Sequence, residues 1–181
     1  VDVSARLLDA VAARLRAAGL GESIAGISRE SATRLDSLAT RAFDAVSMLG
    51  PLYHLCALEA RRQAVSEMAR ILKPGGLLFA AGINRLAYLR DFFHLFPHDP
   101  EHAPPIGFAH LSTYAEFRAL FAPEFEDLVL AGVESCSTPC QAKLNDLPPM
   151  EAEAWLDLIE RTGQTAEGLG FSDHFLYVGR V

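Results

Sequence analysis

The chain has 181 residues, half of them hydrophobic, with a net charge of −7 and a sequence pI near 5.3. That length suits one domain with a sizeable core, and the acidic balance argues against a nucleic-acid-binding module, which needs a basic face. No apolar run reaches the ~18–20 residues of a membrane helix, no signal peptide is visible, and the three cysteines, Cys56, Cys136 and Cys140, have no framework spacing, which points to free thiols in a reducing, cytoplasmic setting rather than a Cys136–Cys140 pair.

The chain opens on Val1 inside "VDVS", which reads as the end of a strand, so further residues are expected upstream. Leu7, Leu8, Val11, Leu15 and Ala18 then recur at helical spacing. Ser4 is placed to cap this helix and Gly19 to end it in a left-handed turn. Arg6, Arg14 and Arg16 stand near Asp9 and Glu22 and read as a solvated face. Residues 24–28 form a short apolar run, read as a strand. Phe43 to Leu49 reads as a strand apolar enough to be covered on both sheet faces.

A helix is expected from Leu58 to Leu72, with Val65, Met68, Ile71 and Leu72 on one face. "KPGG", Lys73 to Gly76, stops it, because proline cannot continue a helix and glycine tolerates positive φ. "LLFAAGI", Leu77 to Ile83, is the next buried strand. Between Asn84 and Pro123 aromatics, histidines and prolines crowd together. This stretch reads as a short helix to Phe96, an irregular loop, and a helix from Ser112 to Phe121. A strand over Phe125–Val133, a helix over Glu151–Thr162 and a strand over His174–Gly179 complete the chain. Strands and helices alternate and a pair of strands closes the series, which predicts an α/β domain with a largely parallel sheet.

Several chemistries find no support. His94, His98 and His102 have i, i+4, i+8 spacing, but Pro97 and Pro100 break the helix that this array needs. No cysteine or carboxylate pattern completes a site, so no metal is expected. Neither a G-x-S-x-G elbow nor a P-loop is present.

"FDAVSMLGPLYHL" (Phe43 to Leu55), followed by a helix and then "ARILKPGGLLFAAGINR", resembles the second half of a class I S-adenosylmethionine-dependent methyltransferase. The likeness is to the small-molecule enzymes of the quinone-biosynthesis-like group. "FAHLSTYAEFRALFAPEFEDLVLAGVES" and "EAWLDLIERTGQTAEGLGFSDHFLYVGR" continue it to the C-terminus. The resemblance implies a Rossmann-like sheet, mostly parallel with an antiparallel last strand, truncated before strand two. It implies a single, partial domain over residues 1–181, with residues 84–123 as a helical and loop cap over the substrate site.

It also implies a cofactor, S-adenosyl-L-methionine, and a set of residues to hold it. Asp2 matches the acidic residue that accepts the ribose hydroxyls; its alternative role is an acid at a helix N-terminus. Ser31 and Ala32 match the adenine edge, where relatives often carry Asp in place of Ser31; an ordinary loop serine is the alternative. Met48, Leu49 and Gly50 match the floor beneath the methionine moiety. Tyr53 and His54 would face the reacting methyl, or else pack as a helix-start aromatic and a satisfied polar residue. His110, in "FAHLS", matches a histidine that relatives place in the substrate pocket. His54 and His110 are therefore the catalytic candidates, as general bases. Tyr53, Asn84, Arg85 and His110 are the substrate-binding candidates. Phe92, Phe93, Phe96 and Phe108 suit an apolar or aromatic acceptor, or plain packing of the cap.

The family places its first strand at the centre of the sheet, with the glycine-rich cofactor loop after it, and neither has a counterpart in this sequence. Two readings follow: a longer methyltransferase acting on a small molecule, or a non-catalytic, methyltransferase-like remnant completed by strand exchange in a homodimer. A third class is an α/β binding or scaffold domain unrelated to methyl transfer.

Overall fold

The computed structural model describes residues 1–87, 89 and 109–181, the side chain of Cys136 excepted. The sheet begins with β1 (Phe43–Met48) and β2 (Leu72–Ile83) and is completed by β3 (Glu126–Gly132) and β4 (His174–Arg180). The strand order is β1-β2-β4-β3. β1 pairs parallel with β2, and β4 runs antiparallel to both β2 and β3. β1, β2 and β3 thus run in one direction and β4, the last strand, runs against them as expected, so that one of the three pairings is parallel and two are antiparallel.

Helix α1 (Ala5–Ala17) forms where the sequence spacing puts it, with the Ser4 hydroxyl accepting from the Leu7 amide and Gly19 at φ +72°. Its apolar stripe, however, meets no core: no residue of α1 is buried, and Leu7 and Val11 are nearly half exposed. The strand expected over residues 24–28 is absent. Residues 24–28 form no regular element, and Arg29 just after them joins the N-terminus through an isolated bridge to Asp2. The expectation that β1 is covered on both faces is also corrected. Of its six residues only Met48 is buried, because β1 is the edge strand of the sheet.

Short helix α2 (Pro51–His54) leads into α3 (Leu58–Ile71), which buries Ala64, Val65, Met68 and Ile71 against the sheet. The helix ends one residue before "KPGG", and β2 begins at once. "KPGG" is therefore a bulge inside β2: Phe43 pairs Leu72, while Ala45 pairs Leu77. Gly75, at φ +80°, makes the turn within it.

Of the expected helix to Phe96, residues 85–87 and 89 are described and are helical; the irregular loop, Phe92, Phe93, Phe96, Phe108, His94, His98 and His102 lie outside the described residues. Helix α4 (Tyr114–Ala119) is shorter than expected and starts at a capping box of Thr113 and Glu116. Helices α5 (Gln141–Asn145), α6 (Pro149–Gly163) and α7 (Ala166–Phe171) cover the β3–β4 end. α6 fits the expected 151–162 helix; α5 and α7 were not anticipated.

The main core lies between the sheet and the segments Phe117–Phe125 and α3. Phe121 and Tyr177 stack with ring centroids 3.8 Å apart, and Phe117 meets Phe121 edge-on at 5.2 Å. Burial pushes the Tyr177 phenol up to about 12. Among the described residues no helix is long and apolar enough to cross a membrane.

Candidate active site

A cleft of about 740 Å³ opens where the N-terminal segment, the 30–38 loop and the C-terminal end of β1 converge. Small-molecule sites commonly fall in the ~300–1,000 Å³ range. Asp2, Ser31, Ala32, Met48, Leu49, Gly50 and His54 all line it. Residues drawn from three separate stretches of sequence are thereby brought to one place.

The geometry at each position has a local cause. Asp2 is held by the bridge to Arg29 and accepts the Ser4 amide on Oδ1 at 2.7 Å. Its Oδ2 has no hydrogen-bond partner among the described residues. Ser31 accepts the Thr33 amide and shares a hydroxyl contact with Thr33 at 2.8 Å. Met48 is buried at the end of β1, whereas Leu49 is exposed on the cleft wall. Pro51 sits at the first position of α2, where its missing N–H costs nothing.

Two residues that the sequence pattern did not single out fix the 30–38 loop. Glu67 accepts the Leu35 amide, and Arg70 donates to the Leu35 and Leu38 carbonyls, each at 2.9 Å. The two are themselves ion-paired one turn apart on α3. The Arg70 hydrogen bond holds the Glu67 carboxyl below its ordinary range, so the loop clasp is charge-assisted near neutral pH. The i, i+3 spacing of opposite charges was readable, but it is common on exposed helix faces and did not mark this role.

The remaining candidates lie beside the cleft rather than in it. The Tyr53 ring stands 4.7 Å from that of His54, and its hydroxyl reaches the Leu49 carbonyl at 3.4 Å. The His110 amide donates to the Tyr53 carbonyl at 2.7 Å, which brings the two histidine-bearing segments together. Burial, and then the charge of Arg61, hold His110 below its ordinary range. Arg85 donates to the Leu111 carbonyl and pairs with Glu116 at 2.6 Å.

Asn84 has a different place from the one expected. It is buried, and its amide nitrogen donates to the carbonyls of Leu169, Gly170 and Ser172. Its Oδ1 accepts from the Leu86 amide. The side chain is taken up in joining the end of β2 to the end of α7. Among the described residues no group of three potential metal ligands occurs. Cys56 and Cys140 are free and exposed.

Residues 1–80 match the model of a methyltransferase domain. The chain has the class I methyltransferase fold. A SAM-dependent methyltransferase from Methanosarcina mazei superposes with a TM-score of 0.59 at 20% identity, over 99% of this chain and 79% of its own. N-methyltransferase NodS from Bradyrhizobium japonicum, solved with S-adenosyl-L-homocysteine, gives a TM-score of 0.54 at 16% identity, over 99% of this chain and 63% of its own. The [4+2]-cyclase SpnF gives a TM-score of 0.58 at 18% identity, over 98% of this chain and 63% of its own. No curated protein matches significantly.

Proposed function

We propose that the protein transfers a methyl group from S-adenosylmethionine to a small-molecule acceptor. The observation that carries the reading is the gathering of Asp2, Ser31, Ala32, Met48, Leu49, Gly50 and His54 around one cleft. The residues suit the cofactor. A carboxylate with an unpartnered oxygen is able to accept ribose hydroxyls, and Ala32, Leu35, Leu38 and Met48 offer an apolar slot for a flat base. The fold alone does not decide the matter, since a [4+2]-cyclase shares it.

Bound there, the cofactor supplies an electrophilic methyl on a sulfonium, which carries most of the activation. The protein's part is to align the acceptor with that methyl for in-line displacement and to exclude water. His110, held neutral, accepts the proton of an O–H or N–H acceptor, and His54 lines the cleft as the second candidate. We assign Tyr53 and Arg85 to the acceptor side and residues 84–123 to its cover. The free thiols of Cys56 and Cys140 support a reducing, cytoplasmic location.

Calorimetric titration with S-adenosylhomocysteine tests the reading. Saturable one-site binding that weakens on Asp2→Asn is the expected result. A folded chain that takes up no heat of binding overturns it. The competing reading, a non-catalytic homodimer, draws on the open edge of β1 and expects a stable two-chain mass without cofactor affinity.

A further inference from the structure

The turn between α2 and α3 is held by a buried cation. Arg61, in the first turn of α3, is only 7% exposed. Its Nη1 donates to the carbonyls of Leu55 at 2.6 Å and Cys56 at 2.7 Å. None of the ion pairs among the described residues includes it, although its neighbours on the helix, Arg62 and Arg70, are both paired. Burying a guanidinium without a carboxylate is costly, and two carbonyl contacts only partly offset that. Holding a short exposed turn would not by itself require a charge.

The same turn is gripped from the other side. The His110 amide donates to the Tyr53 carbonyl at 2.7 Å, two residues before the first Arg61 contact. Residues 53–56 are thus clamped between the backbone of His110 and the head of Arg61, and they carry His54 on the cleft wall. We infer that Arg61 is a positioning residue of the site, fixing the 53–56 turn on which His110 docks. This rests on the reading of His110 as the proton acceptor.

The charges around His110 agree with that role. Arg61 faces it from α3, Glu116 from α4 and Arg85 from the end of β2. Burial lowers its proton affinity most, Arg61 lowers it next, Glu116 raises it, and Arg85 lowers it again. Arg85 pairs with Glu116 at 2.6 Å, whereas Arg61 makes no ion pair among the described residues. A neutral imidazole is the form that accepts a proton.

The test follows the His110 imidazole resonances against pH in the full 181-residue chain, with His110→Ala for assignment. Arg61→Gln should raise the His110 midpoint, and Arg61→Lys, which keeps the charge, should restore it towards the original value. A folded Arg61→Gln protein whose His110 midpoint stays put overturns the inference, as does an Arg61→Lys shift equal to that of Arg61→Gln. Arg61→Met, an apolar side chain of similar length, takes the place of Arg61→Gln if that variant fails to fold. S-adenosylhomocysteine calorimetry on the same samples separates the two claims. No binding by the unsubstituted chain removes the methyltransferase reading, while the imidazole titration still decides whether Arg61 acts on His110.

Discussion

Asn84 sits where β2 stops, and its amide meets three carbonyls that have no other reason to converge. Replacing it with Ala leaves those buried acceptors unmet, at a cost of about 3 kcal/mol. For a chain of this size that should lower the melting temperature by about 6–12 °C, measured by far-UV dichroism. Asn84→Asp should be worse, since a carboxylate cannot donate to carbonyls. Asp2 makes the contrasting case: it lines the cleft and its Oδ2 has no partner among the described residues, so Asp2→Asn should leave the melting temperature within a degree or two. Its expected effect is a roughly tenfold loss of S-adenosylhomocysteine affinity, the equivalent of one charge-assisted hydrogen bond. A cofactor affinity unchanged by Asp2→Asn would remove the ribose role. Neither residue could be ranked from the sequence alone. Asn84 looked like a ligand contact because its partners lie 85 to 88 residues away, and no local pattern announces a contact across that span.

Between elements, the seam joining β3, α6, α7 and β4 is built from small residues. A Cβ on Gly132 would collide with the Ser172 hydroxyl, and one on Gly168 with the Thr162 carbonyl. Ser172 in turn donates to the Gly168 carbonyl and accepts the Ser135 amide at 2.6 Å. Gly168→Ala should therefore cost at least 2–3 kcal/mol, about the upper range for overpacking a tight site, and urea unfolding would read it as a lower midpoint. Beside this seam Glu134 binds His174 through its ring at 2.6 Å and also accepts the His174 and Asp173 amides. The Glu134 hydrogen bond raises the His174 pKa above its ordinary 6.5. Burial alone would raise Glu134, but its bonds to His174 outweigh that and bring it below the ordinary 4.5. The His174 contribution to stability is complete below pH 6.5 and fades as pH rises through its raised folded value. The Glu134 contribution is complete above pH 4.5 and fades as pH falls through its lowered value. Stability from the pair should accordingly be fullest between those limits and decline on the alkaline side. Glu134→Gln should flatten that decline, and thermal melts across pH 5 to 9 would show a parallel fall in both proteins if the pair is idle.

At the scale of the whole chain, β1 stands at one end of the described sheet. Its backbone faces no strand on one side among the described residues, and Phe43 is 37% exposed. An unprotected edge of this kind templates pairing with another chain. The 181-residue chain should self-associate with rising concentration in sedimentation velocity, and Ala45→Lys on that edge should shift it towards monomer. An unchanged monomer at every concentration would show the edge to be harmless. The same edge marks the limit of what was legible in the sequence. Helix α3 and strand β2 could be read because apolar spacing and breakers coincide there, and Val65, Met68 and Ile71 are indeed buried. The apolar run of β1 and the stripe of α1 state what those elements are able to cover, not whether a neighbour is present to be covered. Helices α5 and α7 are too short to show a helical period, and the Arg61 clamp has no signature beyond an arginine in a helix. The cofactor side of the cleft was legible because a known family supplied the positions, whereas the clasps that shape it had to be seen. One further property follows from the way β2 ends. The Ser112 amide donates to the Ile83 carbonyl, and the Arg85 amide to that of Ser112. The two stems of the intervening segment are thus stitched side by side. Chain inserted between positions 85 and 112 would therefore start and end at neighbouring points of the framework, and each doubling of an inserted loop's length adds only about 0.6 kcal/mol of closure cost. A foreign sequence exchanged for that stretch is therefore expected to leave the register of β2 with β1 and β4 unchanged.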